Sequence, residues 1–456
     1  MAIEINQQPS KENVQGQKPA GPFGLNAENA GNIAMASLFL LFIFIVAIAQ
    51  LVLPDRQFSS QENRYLTAKP VFTWQKLRNA QYMSQIESYL TDQFPGRDGW
   101  VSFKALAQRL SKQKENNQVY FAADGYLIGK PQAVNAEILE KNLQSVKGLE
   151  EAGYQVALLV SPMAGEVLRD KLPAWAYSPA QAEMLAQLSR EVPGIFVDVE
   201  PYLAQAAAGG QQVFFRTDHH WTMAGAYQAY LAYMEWRGEP AIPAAALQEE
   251  VVSDTFYGTL WSKNSLPGIE PDRISVFQPL QDNQPLQSLQ PLQSLQPLDL
   301  EPAPYEVTYF DGSKTWQASS VYQPAFLQEK DQYAYFLGQN QPLVVIRRQG
   351  AAAGAGVLAG EGEKDGTGAR VQGGADTEAG SKKLLIFKDS YAHAFAPFLL
   401  PHFDEIHLAD LRYWKQDPIA YLKEQGISQV MFLYNADSFV SDRSISQVGA
   451  YLARHK

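Results

Sequence analysis

Val156-Ala157-Leu158-Leu159-Val160, closed by Ser161-Pro162, is the run from which the fold is read. Five consecutive apolar residues are too few for a helix, and an apolar residue at every position suits a strand covered on both faces. A helical pattern over 135–151 precedes it. A second helix over 179–191 leads into Ile195-Phe196-Val197-Asp198-Val199, which reads as another strand. The same texture returns near the end of the chain. Leu384-Leu385-Ile386-Phe387 runs into Lys388-Asp389-Ser390-Tyr391 and a helix from Ala392 to Leu399, and Val430-Met431-Phe432-Leu433-Tyr434 is one more buried strand. Strands alternating with helices define an α/β fold with a mostly parallel sheet covered by helices. Upstream, Val119-Tyr120-Phe121, Asp124-Gly125 and Tyr126-Leu127-Ile128 predict a hairpin. Trp74 to Lys114 has helical spacing and is broken into two helices by Phe94-Pro95-Gly96-Arg97-Asp98.

The chain is 456 residues long and 46% hydrophobic, enough for a large core. A net charge of −11 is a poor match for nucleic acid, which is set aside as a partner, and for anionic lipid. The absence of cysteine removes disulfides, thiolate metal sites and thiol catalysis. Ile33 to Leu53 is a run of 21 residues without a charge, the length of a membrane-spanning helix. Ala47-Ile48-Ala49 resembles a signal-peptidase site, but the run is longer than a cleavable core, so an uncleaved anchor is expected. Arg56, Arg64 and Lys69 after the run outweigh Lys11 and Lys18 before it, a bias against export that long domains override.

The expected layout is a polar tail at 1–32, an anchor at 33–53, a helical juxtamembrane region at 54–117 and the α/β domain at 118–456. Two insertions interrupt that domain. Near 278–304, Gln-Pro-Leu recurs every six residues from Gln278 to Leu298, and a proline in every unit argues for a disordered linker over a solenoid. Near 349–382, glycine and alanine dominate without apolar periodicity, so a second disordered segment is expected.

The candidate chemistry sits in two short blocks. In Asp218-His219-His220-Trp221, an extended backbone puts Asp218 and His220 on one side and His219 on the other. A carboxylate beside an imidazole fixes its tautomer and stabilises its cation. Ser390 stands at a strand-to-helix turn, where backbone N–H groups and a helix dipole stabilise an oxyanion; the plainer reading is a helix cap. Asn435 at the end of a strand is a candidate oxyanion donor, with Asn340 a weaker rival. Arg412 is a candidate for a substrate anion or for a structural ion pair. The letters Asp-His-His also occur in manganese phosphoesterases, but the Asp-x-Asp clusters those need are missing, and no metal is expected.

Phe215-Arg216-Thr217-Asp218-His219-His220-Trp221-Thr222 resembles the signature of the bacterial DHHW proteins. Glu62-Asn63-Arg64, Asp92-Gln93-Phe94-Pro95-Gly96-Arg97, Phe336-Leu337-Gly338, Lys388-Asp389-Ser390-Tyr391 and Asp410-Leu411-Arg412-Tyr413 match its other blocks. That family is similar to the alginate O-acetyltransferases, whose domain is SGNH-hydrolase-like. The resemblance implies an SGNH-like domain with Ser390 as nucleophile, His220 as base and Asp218 as its orienter. Lys388 stands where many SGNH proteins have glycine. The implied activity is O-acyl transfer, acetyl above all, to an extracellular glycan through a serine acyl-enzyme. No cofactor is implied. The implied partners are the glycan acceptor and a multi-spanning membrane acyltransferase, and the implied location is the cell membrane, with one span and the catalytic domain outside. A noncatalytic glycan-binding or assembly protein of the same fold and a carbohydrate esterase are the alternatives.

Overall fold

A computed structural model of the protein describes residues 27–59, 64–280, 305–349 and 382–455. It resolves into two compact units. One holds the chain up to Phe58 together with Tyr65–Arg97, and the other holds Ser59–Arg64 and the chain from Asp98 on.

In the first unit one helix runs from Ala27 to Val52, and Ala30–Val52 within it is long and apolar enough to cross a membrane. The helix therefore begins inside the polar tail expected at 1–32; residues 1–26 of that tail lie outside the described residues. The stretch from Trp74 holds Trp74–Arg78 and Gln81–Asp92, separated by Ala80 in a left-handed conformation (φ 60°); the helix Arg97–Leu110 that follows belongs, from Asp98 on, to the second unit. The expected pair of helices is thus three, because the break at Asn79–Ala80 has no proline or glycine to announce it.

In the second unit eight strands form the main sheet. They are β1 (Gln155–Ser161), β2 (Phe196–Val197), β3 (Tyr305–Phe310), β4 (Thr315–Ala318), β5 (Leu343–Arg348), β6 (Lys383–Lys388), β7 (Glu405–Ala409) and β8 (Gln429–Asn435). Their order is β4-β3-β5-β7-β6-β8-β1-β2. The five strands β7-β6-β8-β1-β2 pair in parallel, and β5, β3 and β4 extend the sheet with antiparallel neighbours. This is an α/β fold with a mixed sheet, parallel over five neighbouring strands.

The apolar runs are continuous because both faces are covered. Ala157 and Leu159 of β1, Leu384 and Ile386 of β6, and Met431 and Leu433 of β8 face one core with Ala226, Tyr230 and Tyr233 of the helix Met223–Arg237. The alternate residues Val156, Leu158, Leu385, Phe387, Val430 and Phe432 face the other. There Leu139, Leu143 and Val146 of the helix Ala136–Glu151 and Val448 and Leu452 of the helix Ser446–Arg454 cover them. Each fully buried Leu or Phe contributes about 1.5–3 kcal/mol, so strand register is fixed by both layers at once. In that register Lys388 pairs with Leu433, and Asn435 with Ser161. The carboxyl ends of β6, β8 and β1 thus lie together, the edge at which parallel sheets bind ligands.

Three segments differ from the sequence reading. The strand expected over 195–199 is reduced to Phe196–Val197. The helix after Ser390 is α-helical only over Ala392–Phe395 and tightens to a 3₁₀ turn over Ala396–Leu399, where Pro397 brings no N–H to the ladder. Gln278 and Pro279, the start of the hexad repeat, end the strand Asp272–Pro279 paired with Leu247–Phe256. The rest of that expected linker, 281–304, and the second expected insertion, 350–381, lie outside the described residues. The hairpin pairs Val119 with Gly129 and Phe121 with Leu127, as its turn residues imply.

Candidate active site

Asp218-His219-His220 is the tip of a loop closed by the Phe214–Trp221 bridge, with Phe215 N–H donating to the His220 carbonyl (3.2 Å). Asp272, 3% exposed, holds this loop from behind. Its carboxylate accepts from Thr217 N (2.7 Å), Thr217 Oγ1 (2.6 Å), Arg216 N (2.9 Å) and Gln212 Nε2 (2.8 Å). A bent tip does not alternate its side chains as an extended strand does. His219 therefore does not point away from His220. The two rings lie 3.9 Å apart between centroids and line one cavity.

The serine block meets this tip. Ser390 follows β6 in the turn before Ala392, and its Oγ lies 2.6 Å from His220 Nε2. His220 Nδ1 lies 2.5 Å from Asp218 Oδ2. Asp218 Oδ1 accepts from both the N–H (2.7 Å) and the hydroxyl (2.6 Å) of Thr259. The Thr259 hydroxyl hydrogen is thereby committed to Asp218, so the His219 Nδ1 contact at 2.8 Å must be a donation to Thr259 Oγ1. Gly258 makes this approach possible, because a Cβ there would stand 2.2 Å from Asp218 Cβ. On its other side His220 stacks on Tyr333, centroids 3.8 Å apart and planes at 7°. Two reciprocal bonds knit the blocks together. Trp221 Nε1 donates to the Tyr391 carbonyl (3.0 Å), and the Tyr391 hydroxyl donates to the His219 carbonyl.

Burial governs the electrostatics. It pushes the His220 imidazole down to about 4, helped by the neighbouring His219 and opposed by Asp218, so His220 is neutral at pH 7. Burial works against the Asp218 carboxylate, yet the His219 and His220 imidazoles and their hydrogen bonds hold it well below the usual range. A neutral His220 bonded through Nδ1–H to a carboxylate presents its Nε2 lone pair to Ser390.

The oxyanion candidates are rearranged. Asn435 is not available. Its Nδ2 donates to Asp389 Oδ2 (2.8 Å) and Ser438 Oγ (3.0 Å), and its Oδ1 caps the helix Ala436–Ser441 by accepting from Ser438 N (2.9 Å). Asn435 N–H also donates to Asp389 Oδ2 (2.8 Å), and Asp389 Oδ1 accepts from Tyr391 N (2.9 Å). Asn435 thus ties the serine turn to β8. Asn340 lines the cavity, with its Oδ1 held by Lys388 Nζ at 2.9 Å. Among the described residues its Nδ2 and the Ser390 main-chain N–H make no hydrogen bond. Four α-helical residues after Ser390 supply too short a ladder for the dipole expected there.

Lys388 is buried, 1% exposed. It is held by His393 Nε2 (2.7 Å) and Asn340, with Asp410 Oδ2 at 3.8 Å, and burial pushes it down to about 8. The Lys388 side chain is engaged with His393 and Asn340, both of which line the cavity, while Lys388 itself does not. Arg412 takes the structural reading. Its Nε and one terminal nitrogen grip the two oxygens of Asp410 at 2.8 and 2.6 Å, while the residue also borders the cavity. The cavity is about 300 Å³, and Tyr257, Lys330 and Gln339 complete its rim. Lys330 Nζ stands 4.5 Å from the centre of the Trp261 ring. Ligand atoms of Asp218, His219 and His220 come within 4.8 Å of one another. The carboxylate oxygens and three of the ring nitrogens are already spent on hydrogen bonds within the protein, which does not fit an ion. Thr259, Tyr333 and Asp272 carry no motif; only the fold brings them here.

Residues 120–262 match the family model described as the SGNH hydrolase-like domain of the acetyltransferase AlgX. Among solved structures, a DHHW family protein from Eubacterium siraeum is similar over 74% of this chain and 96% of its own, at 22% identity and a TM-score of 0.54. PatB1 of Bacillus cereus, solved with a sulfonyl adduct, is similar over 72% of this chain and 98% of its own, at 18% identity and a TM-score of 0.52. These likenesses are of fold. No curated protein matches the chain in sequence. Residues 120–262 thus match an SGNH-hydrolase-like domain model, and the chain shares its fold with a DHHW protein.

Proposed function

We propose that the protein transfers acyl groups, acetyl foremost, to a glycan outside the cell by way of an acyl-Ser390 intermediate, anchored by the apolar helix Ala30–Val52. The observation that carries this reading is the 2.6 Å approach of Ser390 Oγ to His220 Nε2, with Asp218 at the other ring nitrogen. His220 takes the Ser390 proton as Oγ bonds to the acyl carbon. The tetrahedral intermediate then collapses, and the donor's leaving oxygen departs with that proton. A sugar hydroxyl next gives its proton to His220 and attacks the acyl carbon, and Ser390 recovers its hydrogen as the ester leaves. Asp218 holds the ring in the tautomer that accepts at Nε2. The Ser390 N–H and the Asn340 amide are the donors for the oxyanion. Lys388 keeps the Asn340 carbonyl turned away from the cavity. A multi-spanning acyltransferase fits the scheme as the source of the acyl group.

The test is the intact mass of the full chain after exposure to an activated acetyl ester. An acetyl increment on Ser390 is expected, absent from Ser390→Ala and discharged faster by glycan than by water. Discharge by water alone makes the protein an esterase. An unmodified Ser390 in a folded chain leaves glycan binding without catalysis.

A further inference from the structure

The helix Arg97–Leu110 has an outward face that the reading above does not use. Ala105 is fully buried on its inner side, in a small core with Val119, Leu127, Leu260 and Leu266. Phe103 and Leu110 are 62% and 75% exposed. Seven residues apart, they lie two turns along one stripe, on the side away from Ala105. Trp100 stands edge-on to Phe103, ring centroids 6.2 Å apart, and is itself exposed. Around this stripe the charge reverses sign. Residues 97–114 carry Arg97, Lys104, Arg109, Lys112 and Lys114 against Asp98 alone, in a chain whose net charge is −11. Lys104, Arg109, Lys112 and Lys114 are all exposed.

We propose that this helix lies on the membrane surface, with Phe103 and Leu110 entering the interface of a bilayer and the surrounding lysines and arginine meeting acidic phospholipid headgroups. An apolar stripe bordered by cations is the composition of an interfacial helix. The charge is complementary to an anionic leaflet, and the same chain carries a helix, Ala30–Val52, long and apolar enough to cross a bilayer. The proposal rests on the anchored reading given above. It also gives the cavity a fixed bearing. The inner side of the helix shares a small core with Leu260, next to Thr259, so the wall that holds Asp218 and the element proposed to meet the lipid belong to one packed cluster.

The chain has no cysteine, so single cysteines introduced by Phe103→Cys, Leu110→Cys and, as an exposed control on the helix Ala180–Glu191, Ser189→Cys each carry one fluorescent label. The full-length chain is reconstituted into vesicles of phosphatidylcholine with or without phosphatidylglycerol, some bearing nitroxide-labelled lipid, and span insertion is scored by resistance to alkaline carbonate. Labels at 103 and 110 are expected to shift to the blue and to be quenched by nitroxide lipid in the acidic vesicles, while the label at 189 is not. Lys104→Gln and Arg109→Gln should each lower the surface-bound to free ratio about fivefold. A carbonate-resistant chain whose labels at 103 and 110 behave like that at 189 overturns the proposal and leaves the stripe to a protein partner. A chain stripped by carbonate defeats the anchored reading; quenching at 103 and 110 before stripping still supports the helix proposal, and its absence defeats both.

Discussion

Asp218→Asn is the sharpest perturbation of the site, because the surrounding donors dictate how the amide must sit. Thr259 points two hydrogens, from N and Oγ1, at Asp218 Oδ1. The asparagine oxygen is expected to take that position, since an amide N–H₂ there would face two donors. Its nitrogen then faces His220 Nδ1, which must accept. The ring proton moves to Nε2, and Nε2 can no longer receive the Ser390 proton. Restoring the useful tautomer means turning the amide against both Thr259 donors, at roughly 1–3 kcal/mol for each group left unsatisfied. With the loss of the carboxylate beside the forming imidazolium, acetyl-Ser390 formation should fall about 10³–10⁴-fold. The geometry makes a second demand. Thr259→Val removes one of the two opposing donors, so the double variant Asp218→Asn/Thr259→Val should regain about tenfold over Asp218→Asn alone. Stopped-time intact mass with an activated acetyl ester measures all four proteins, and melting curves check that each is folded. An Asp218→Asn protein within about fivefold of the parent, or a double variant slower than the single, would refute the orienting role of Asp218.

Two more outcomes follow from the same geometry. His220 and His402 are each pushed by burial to about 4, below the ordinary 6.5, so between those values the unfolded chain binds more protons than the folded one. Stability is therefore lost as pH falls through that window, by roughly 2 kcal/mol per histidine at pH 5, opposed in part by His219, which Asp218 raises against its burial; melting temperatures that stay level from pH 7 to pH 5 would contradict this. Gly258→Ala puts a methyl 2.2 Å from Asp218 Cβ and must displace the carboxylate, so acetylation of Ser390 should fall about 100-fold while the circular dichroism spectrum is kept; an unchanged rate would show that the loop yields freely.

The strands β1, β6 and β8 were legible because layers on both faces demand apolar residues at every position. Asp218, His220 and Ser390 were legible as chemistry, since a carboxylate, an imidazole and a hydroxyl at a turn suggest each other. What failed was local geometry. Alternation along an extended backbone puts His219 on the far side, whereas the Phe214–Trp221 bridge bends the segment into a tip. Asn435 looked like a free strand-terminal amide, and only the fold shows it engaged with Asp389 and Ser438. Thr259 lies 41 residues from Asp218, and nothing in its neighbours announces the contact. The basic stripe at 97–114 was hidden by averaging, because a whole-chain charge of −11 says nothing of one helix.

The separation of 170 positions between His220 and Ser390 also has a meaning in time. During synthesis the Asp-His-His tip emerges first, and its serine emerges much later. The turn that carries Ser390 is pinned through Asp389 by Asn435, at the end of β8, which emerges later still. Contacts of such long range form late in folding. Ser390 therefore meets His220 only when nearly the whole domain has closed around it, and under the acyl-transfer reading proposed above a nascent or half-folded chain exposes a serine no more reactive than any other.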